Sequence, residues 1–273
     1  MKYLTTITAS LLLLFSASLT LAQEKEKPTY GWQKEMTAGV NLTQTSFDNW
    51  AQGGENAFAW QLNYAFKFVN NQEKTNWANS GKFNYGMTKV GDESAKKSID
   101  DIKLESVFTY KIGSTINPYI GATGESQAGP GYDYVVTPKL KITNFMDPGY
   151  FRESAGFGYK PNEAISTRAG VALKQTVVQE TQIVASKNEI GAESVTDLDW
   201  KISDNSQLTS KLELFSNLKG FDEIDVNWDN VLTAKVSKYI NLNFNVKLLY
   251  DKDISAKRQL KQALAVGFSY SFF

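Results

Sequence analysis

Apolar and polar residues alternate with period two along most of the chain, most cleanly from residue 224 to the end. Ile224, Val226, Trp228, Leu232, Ala234 and Val236 share one face, and Asp225, Asn227, Asp229, Thr233 and Lys235 the other. Ile240, Leu242, Phe244, Val246, Leu248 and Tyr250 then alternate with Asn241, Asn243, Asn245 and Lys247. A third run sets Leu260, Leu264, Val266, Phe268, Tyr270 and Phe272 against Lys261, Ala263, Ala265, Gly267, Ser269 and Ser271. Side chains on a strand point alternately to opposite faces, so each run predicts a strand with one greasy and one wet face.

The same reading over the rest of the chain predicts strands near 34–44, 58–68, 77–87, 102–112, 116–127, 151–160 and 164–174, one ending near 202, and one at 207–216. With the closing three this makes about twelve. Short turns alternate with longer connections, the longest at 128–150 with Pro130, Pro138 and Pro148. The stretch 175–194 is ambiguous, because Val177, Val178, Ile183 and Val184 could prolong the strand before it. The expectation is an all-β, transmembrane antiparallel up-and-down β-barrel. It has short periplasmic turns and longer extracellular loops, and its even strand number returns both ends to one side. Closure removes the edges that lipid cannot satisfy. A secreted β-sandwich also alternates. The barrel is preferred because the apolar faces stay nearly free of charge for the ~9–11 residues a spanning strand needs. Trp and Tyr also cluster at strand ends, as in interfacial girdles, and the sequence ends on an aromatic.

Residues 1–22 read as a cleavable signal peptide, with Lys2, an apolar core at 11–15 and small residues towards Ala22. Residues 23–33 read as a periplasmic leader and 34–273 as the barrel. The expected location is the outer membrane. The expected partners are its lipid bilayer and, during biogenesis, the outer-membrane assembly machinery.

Composition narrows the chemistry. The 273 residues carry 29 basic and 29 acidic side chains, no Cys and no His. A zero net charge without a basic stripe argues against nucleic acid. Without His, a Ser-His or Asp-His hydrolytic mechanism is excluded, so no enzyme is expected. The carboxylate pairs Asp225/Asp229 and Asp197/Asp199 share inward faces, where solvation by nearby Lys is the simpler reading. Asp251 and Asp253 could bind Ca²⁺ through hard oxygens, but a turn solvated by Lys252 and Lys257 explains them as well. No catalytic residue, cofactor or metal ligand is assigned.

The candidate functional residues line the inward face: Lys103, Glu105, Arg168, Lys201, Lys211, Glu213, Asp225, Asp229, Lys235, Lys247 and Lys261. Lys67, Lys82, Lys111, Lys174, Asp101, Asp197 and Asp199 join them in the same register. Trp50, Tyr132, Tyr134 and Phe145 are candidate extracellular loop contacts. A lumen with both signs of charge either knits into salt bridges or leaves a charged aqueous path; at twelve strands the bore lies between a filled and an open barrel. The favoured function is a narrow passive channel for small hydrophilic solutes, with a lean towards anions. The alternative is a structural or accessory barrel whose plugged lumen serves a protein partner.

Three segments resemble a known family. These are Asn41-Leu42-Thr43-Gln44 with Phe47, Asn49-Trp50 and Gly53-Gly54-Glu55-Asn56; Asn144-Phe145-Met146-Asp147-Pro148 with Gly156-Phe157-Gly158-Tyr159-Lys160-Pro161; and Leu249-Tyr250-Asp251-Lys252-Asp253 running to Phe272. Together they resemble the Bacteroidota outer-membrane β-barrel family known as domain of unknown function 3078, over essentially the whole mature chain. The resemblance implies barrel and location, and carries no catalytic residues across.

Overall fold

The computed structural model describes residues 29–48, 54–180, 184–220 and 223–272. The proposed signal segment 1–22, Trp50, Gly53 and Ile183 lie outside them. The compact unit Gly31–Phe273 is the barrel.

Among the described residues fourteen strands form, in chain order: β1 Gly31–Thr45, β2 Ala57–Asn71, β3 Thr75–Val90, β4 Lys96–Tyr110, β5 Ile116–Ser126, β6 Gly131–Asp133, β7 Leu140–Thr143, β8 Gly149–Tyr159, β9 Ile165–Val177, β10 Lys187–Ser203, β11 Ser206–Ser216, β12 Ile224–Lys235, β13 Ile240–Asp251 and β14 Ser255–Ser271. Twelve of them close a barrel in the order β1-β14-β13-β12-β11-β10-β9-β8-β5-β4-β3-β2. Every pairing in the ring is antiparallel. β6 and β7 form a separate hairpin within the longest connection.

The barrel's outside is apolar because the alternation is read the same way in every strand. Trp32, Leu42, Phe58, Leu104, Ile120, Phe157, Val171, Ile190, Phe244 and Phe268 all point out and are exposed. An apolar belt running round a whole molecule far exceeds the patches that water-facing proteins carry, and it suits lipid. Glu153 breaks the pattern on β8, exposed beside Ala122 of β5 and Leu173 of β9. Aromatics gather at both ends of the belt. Trp32 and Trp77 lie 6.2 Å apart at the short-turn end, and Trp60 and Tyr85 lie 5.9 Å apart towards the long-loop end. Trp77 and Trp228 each donate the indole N–H to a serine on the neighbouring strand, Ser106 and Ser210, so the ring stays greasy while its one polar group is satisfied.

Several boundaries differ from the alternation. β1 begins at Gly31 and β14 at Ser255, both earlier than expected. The connection between β13 and β14 shrinks to 252–254, so the last outer loop is a tight turn. β10 starts at Lys187, inside the ambiguous stretch. The long connection is tied to the rim. Asp100 accepts the N–H groups of Ala128 and Gly129 at 2.6 and 3.1 Å, and the buried Asp147 accepts those of Gln179 and Glu180 at 2.9 Å each.

Candidate functional site

Inward side chains on β3 to β5 and β8 to β13 meet across the lumen. Lys103 on β4 reaches Glu213 on β11 at 2.5 Å and Glu125 on β5 at 2.7 Å. β4 and β11 stand five places apart in the ring of twelve, so this bridge crosses the bore. Glu105, two residues along on β4, accepts from Arg168 at 2.5 Å and from Lys211 at 2.6 Å. Lys211 also reaches Asp197 at 3.1 Å. Lys82 joins Asp229 at 2.8 Å and Asp101 at 3.2 Å, again spanning opposite strands, and Lys247 approaches Asp101 at 4.0 Å. Towards the long-loop mouth, Lys174 pairs with Asp225 at 2.5 Å and Asp251 at 2.9 Å. Lys187 pairs there with Glu189 and Asp253, both at 2.8 Å. A cavity of about 100 Å³ lies among Tyr150, Lys174, Lys187, Asp251 and Asp253.

The middle of the network is dry. Lys103 is 7 % exposed and Glu213 3 %. Charges are tolerated at such burial only when paired, and Lys82, Lys103, Arg168, Lys174 and Lys211 each meet more than one carboxylate. A small apolar core supports them: Phe215, Val195, Tyr119 and Ala172 point inward and are buried. The Arg152 guanidinium lies 5.8 Å from the Phe215 ring centre, and the Lys174 ammonium 5.7 Å.

The other side of the lumen differs. β13, β14, β1 and β2 are consecutive in the ring. Over the middle of these strands the inward residues are small or neutral: Asn241, Asn243 and Asn245; Ala263, Ala265, Gly267 and Ser269; Thr37, Gly39, Asn41 and Thr43; Asn63 and Ala65. Thr37, Thr43, Thr45, Ala65 and Lys67 are exposed although they face inward, as are Lys257, Gln259 and Lys261. The exposed ones lie mostly towards the two ends of this sector, while Gly39, Asn41, Asn63, Ala263 and Ala265 between them are half-buried.

Most expected inward residues fall into the crossing network: Lys103, Glu105, Arg168, Lys211, Glu213, Asp225, Asp229 and Lys247. Lys261 stands exposed on β14. Lys201 and Lys235 lie at the short-turn rim, where Lys201 bridges Asp204 at 2.8 Å and that hydrogen bond holds the Asp204 carboxyl below its usual range. Asp251 and Asp253 are answered by Lys174 and Lys187. Of the loop aromatics, Tyr132 and Tyr134 lie 6.2 Å apart under Lys139 and Lys96, and Phe145 is exposed. Glu125, Arg152, Glu189, Glu193 and Phe215 were not expected in the network. Glu125 and Arg152 could have been found by carrying the alternation to the strand ends. Phe215 could not, because an apolar residue on a wet face gives no signal.

Residues 42–132 match the family described as "Protein of unknown function (DUF3078)", which is less of the chain than the sequence resemblance suggested. Residues 120–272 match a second, described as "Protein of unknown function, DUF481". No curated protein matches. Solved structures with a similar outline include the translocator domain of the autotransporter NalP from Neisseria meningitidis (12 % identity, 97 % of this chain and 95 % of that one, TM-score 0.37). Another is the COG4313 outer membrane channel from Pseudomonas putida F1 (9 %, 90 % and 96 %, 0.41). A third is the KdgM porin (12 %, 87 % and 99 %, 0.34).

Proposed function

The chain belongs to the family described as "Protein of unknown function, DUF481", and from that premise we propose a function on the barrel's own geometry. It is a narrow outer-membrane channel for small hydrophilic solutes. The solute path follows the β13-β14-β1-β2 sector, and the ion pairs on the opposite side reduce the bore. The short turns face the periplasm and the longer loops the exterior, in keeping with the usual build of such barrels. Export by an N-terminal signal peptide belongs to the same reading.

The observation that carries it is the contrast in burial. Thr37, Thr43 and Thr45 on β1 and Lys257, Gln259 and Lys261 on β14 face inward and are exposed, while Lys103 on β4, Lys174 on β9, Glu189 and Glu193 on β10 and Glu213 on β11 face inward and are buried. Lys67, Lys257 and Lys261 line the wetted side, with Glu35 near the short-turn end, so a mild anion preference follows. Single-channel recording of the refolded mature chain tests it. Small steady openings are expected, with a reversal potential displaced towards chloride under a KCl gradient. A folded barrel that stays silent would sink the channel.

A second reading has its own support. Lys103–Glu213 and Lys82–Asp229 cross the lumen, as a structural or accessory barrel with a plug would require. Silence in the recording, together with a stoichiometric partner retained in gentle detergent, is the outcome that favours it.

A further inference from the structure

The ring closes unevenly. β1 pairs with β2 along its whole length, Gly31 to Thr45. With β14 it pairs only from Thr37 to Asn41. On the other side, β14 follows β13 from Ser255 to Phe268, yet meets β1 only from Gly267 to Ser271. Residues 255–266 of β14 therefore have a strand on one side and none on the other. β1 stays with β2 while β14 leaves with β13, and the wall parts into a wedge towards the long-loop end.

Such an edge is costly in hydrocarbon, because backbone N–H and C=O groups there have no water to turn to. The lips of the wedge differ in chemistry. On the lipid side stand Leu42 and Leu264, 56 % and 68 % exposed. On the lumen side stand Thr43, Thr45, Gln259 and Lys261. The open length of β14 carries Lys257, Arg258 and Lys261 and no acid, and residues 41–45 of β1 carry none either. Directly below, where the strands rejoin, the outer wall holds an apolar groove of about 550 Å³ lined by Val40, Leu62, Tyr64, Phe83, Phe268 and Tyr270.

We propose that this wedge is a lateral port between the lumen and the bilayer, and that it takes a single-chain anionic amphiphile. The head meets the three cations and the unpaired N–H groups of β14. The chain runs down past Leu264 into the groove, ~23 Å along the strand from residue 261 to residue 268 at ~3.3 Å per residue. Position and charge agree: basic side chains end the open strand at one interface, and apolar ones floor it within the belt. The proposal shares the β13-β14-β1-β2 sector with the channel reading but does not depend on conduction.

Extending the seam in register would bring Thr43 opposite Ala265. The chain has no cysteine, so a Thr43→Cys/Ala265→Cys variant can form one disulfide, across the wedge. The full mature chain is placed in phosphatidylcholine nanodiscs with lysophosphatidic acid carrying a diazirine on its acyl chain, irradiated, digested and mapped by mass spectrometry. Labelling is expected to concentrate on β1 and β14 over the β8–β9 wall by about tenfold, to fall by as much when the disulfide closes, and to return on reduction. Neutralising Lys257, Arg258 and Lys261 to Gln should lower it by about fivefold per charge, with no effect on a monoacylglycerol carrying the same diazirine. Heat-modifiable gel mobility reports folding, and Thr45→Cys/Ala263→Cys supplies a second closure one rung on. Even labelling round the wall, or seam labelling that neither closure reduces, overturns the port. Conductance of the same sample separates the two readings. A silent barrel that still labels at the seam loses only the channel, and a conducting barrel that labels evenly loses only the port.

Discussion

Lys103 shows how the lumen is held. It stands between Glu125 and Glu213 in a place too dry for either carboxylate to be solvated alone. Lys103→Met removes the shared cation and leaves two buried acids facing one another, which should destabilise the barrel by about 3–5 kcal/mol. Urea unfolding followed by heat-modifiable mobility measures this. Adding Glu213→Gln should restore part of the loss, because one of the stranded charges goes with it; a double variant no more stable than Lys103→Met would mean the pair contributes packing and not charge. A different residue-scale constraint acts at Gly170, which faces Gly156 across β8 and β9. A Cβ there would run into the Ala155 carbonyl oxygen and the Gly156 backbone. Backbone cannot yield as a side chain can, so Gly170→Ala should cost about 1–3 kcal/mol in the same assay.

At the scale of the strand, facing decides tolerance. Phe244 points to lipid between Leu232 and Leu264, and Phe244→Lys should cost ~2–4 kcal/mol near mid-belt. Asn243, one residue along, points to the lumen and gives up only a hydrogen bond from Thr233; Asn243→Lys should refold with nearly unchanged stability. Equal costs would mean the two faces are assigned wrongly. This alternation is also what made the elements legible. β2, β11, β12 and β13 emerge from sequence within a few residues, because one face of each must be greasy where it crosses lipid. The alternation fades where a strand rises above the belt and both faces see water. β10 is the clearest case: its start carries Asn188 outward with Lys187, Glu189 and Glu193 inward, so Ile190 alone is a greasy mark there. β14 begins in the same way with Lys257 and Arg258 side by side. The β6–β7 hairpin is too short for alternation to single it out, with only three and four residues in its strands.

For the whole molecule, sequence told which side chains face inward but not which of them meet. Lys103 and Glu213 lie 110 residues apart, and only closure of the ring makes them neighbours. The same closure leaves β13, β14, β1 and β2 together, and the inward residues over the middle of these strands are small and uncharged. The bore is thus lopsided, and a bulky side chain should matter on one side alone. Ala263 faces inward on β14 opposite Asn245 of β13. Ala263→Trp adds a ring where the path runs, and should lower unitary conductance at least about twofold without unfolding the barrel, since the neighbouring inward residues are small enough to admit it. Lys261→Glu, in the same sector, keeps the bore and inverts the local charge. Its reversal potential under a KCl gradient should move from chloride towards potassium, and the shift should shrink as salt rises and exposed charge is screened. Tryptophan at Thr209, on the inward face of β11 beside the ion pairs, is the control: it should leave conductance unchanged. If it blocks as well as Ala263→Trp does, the path runs through the charged side and the sector assignment fails.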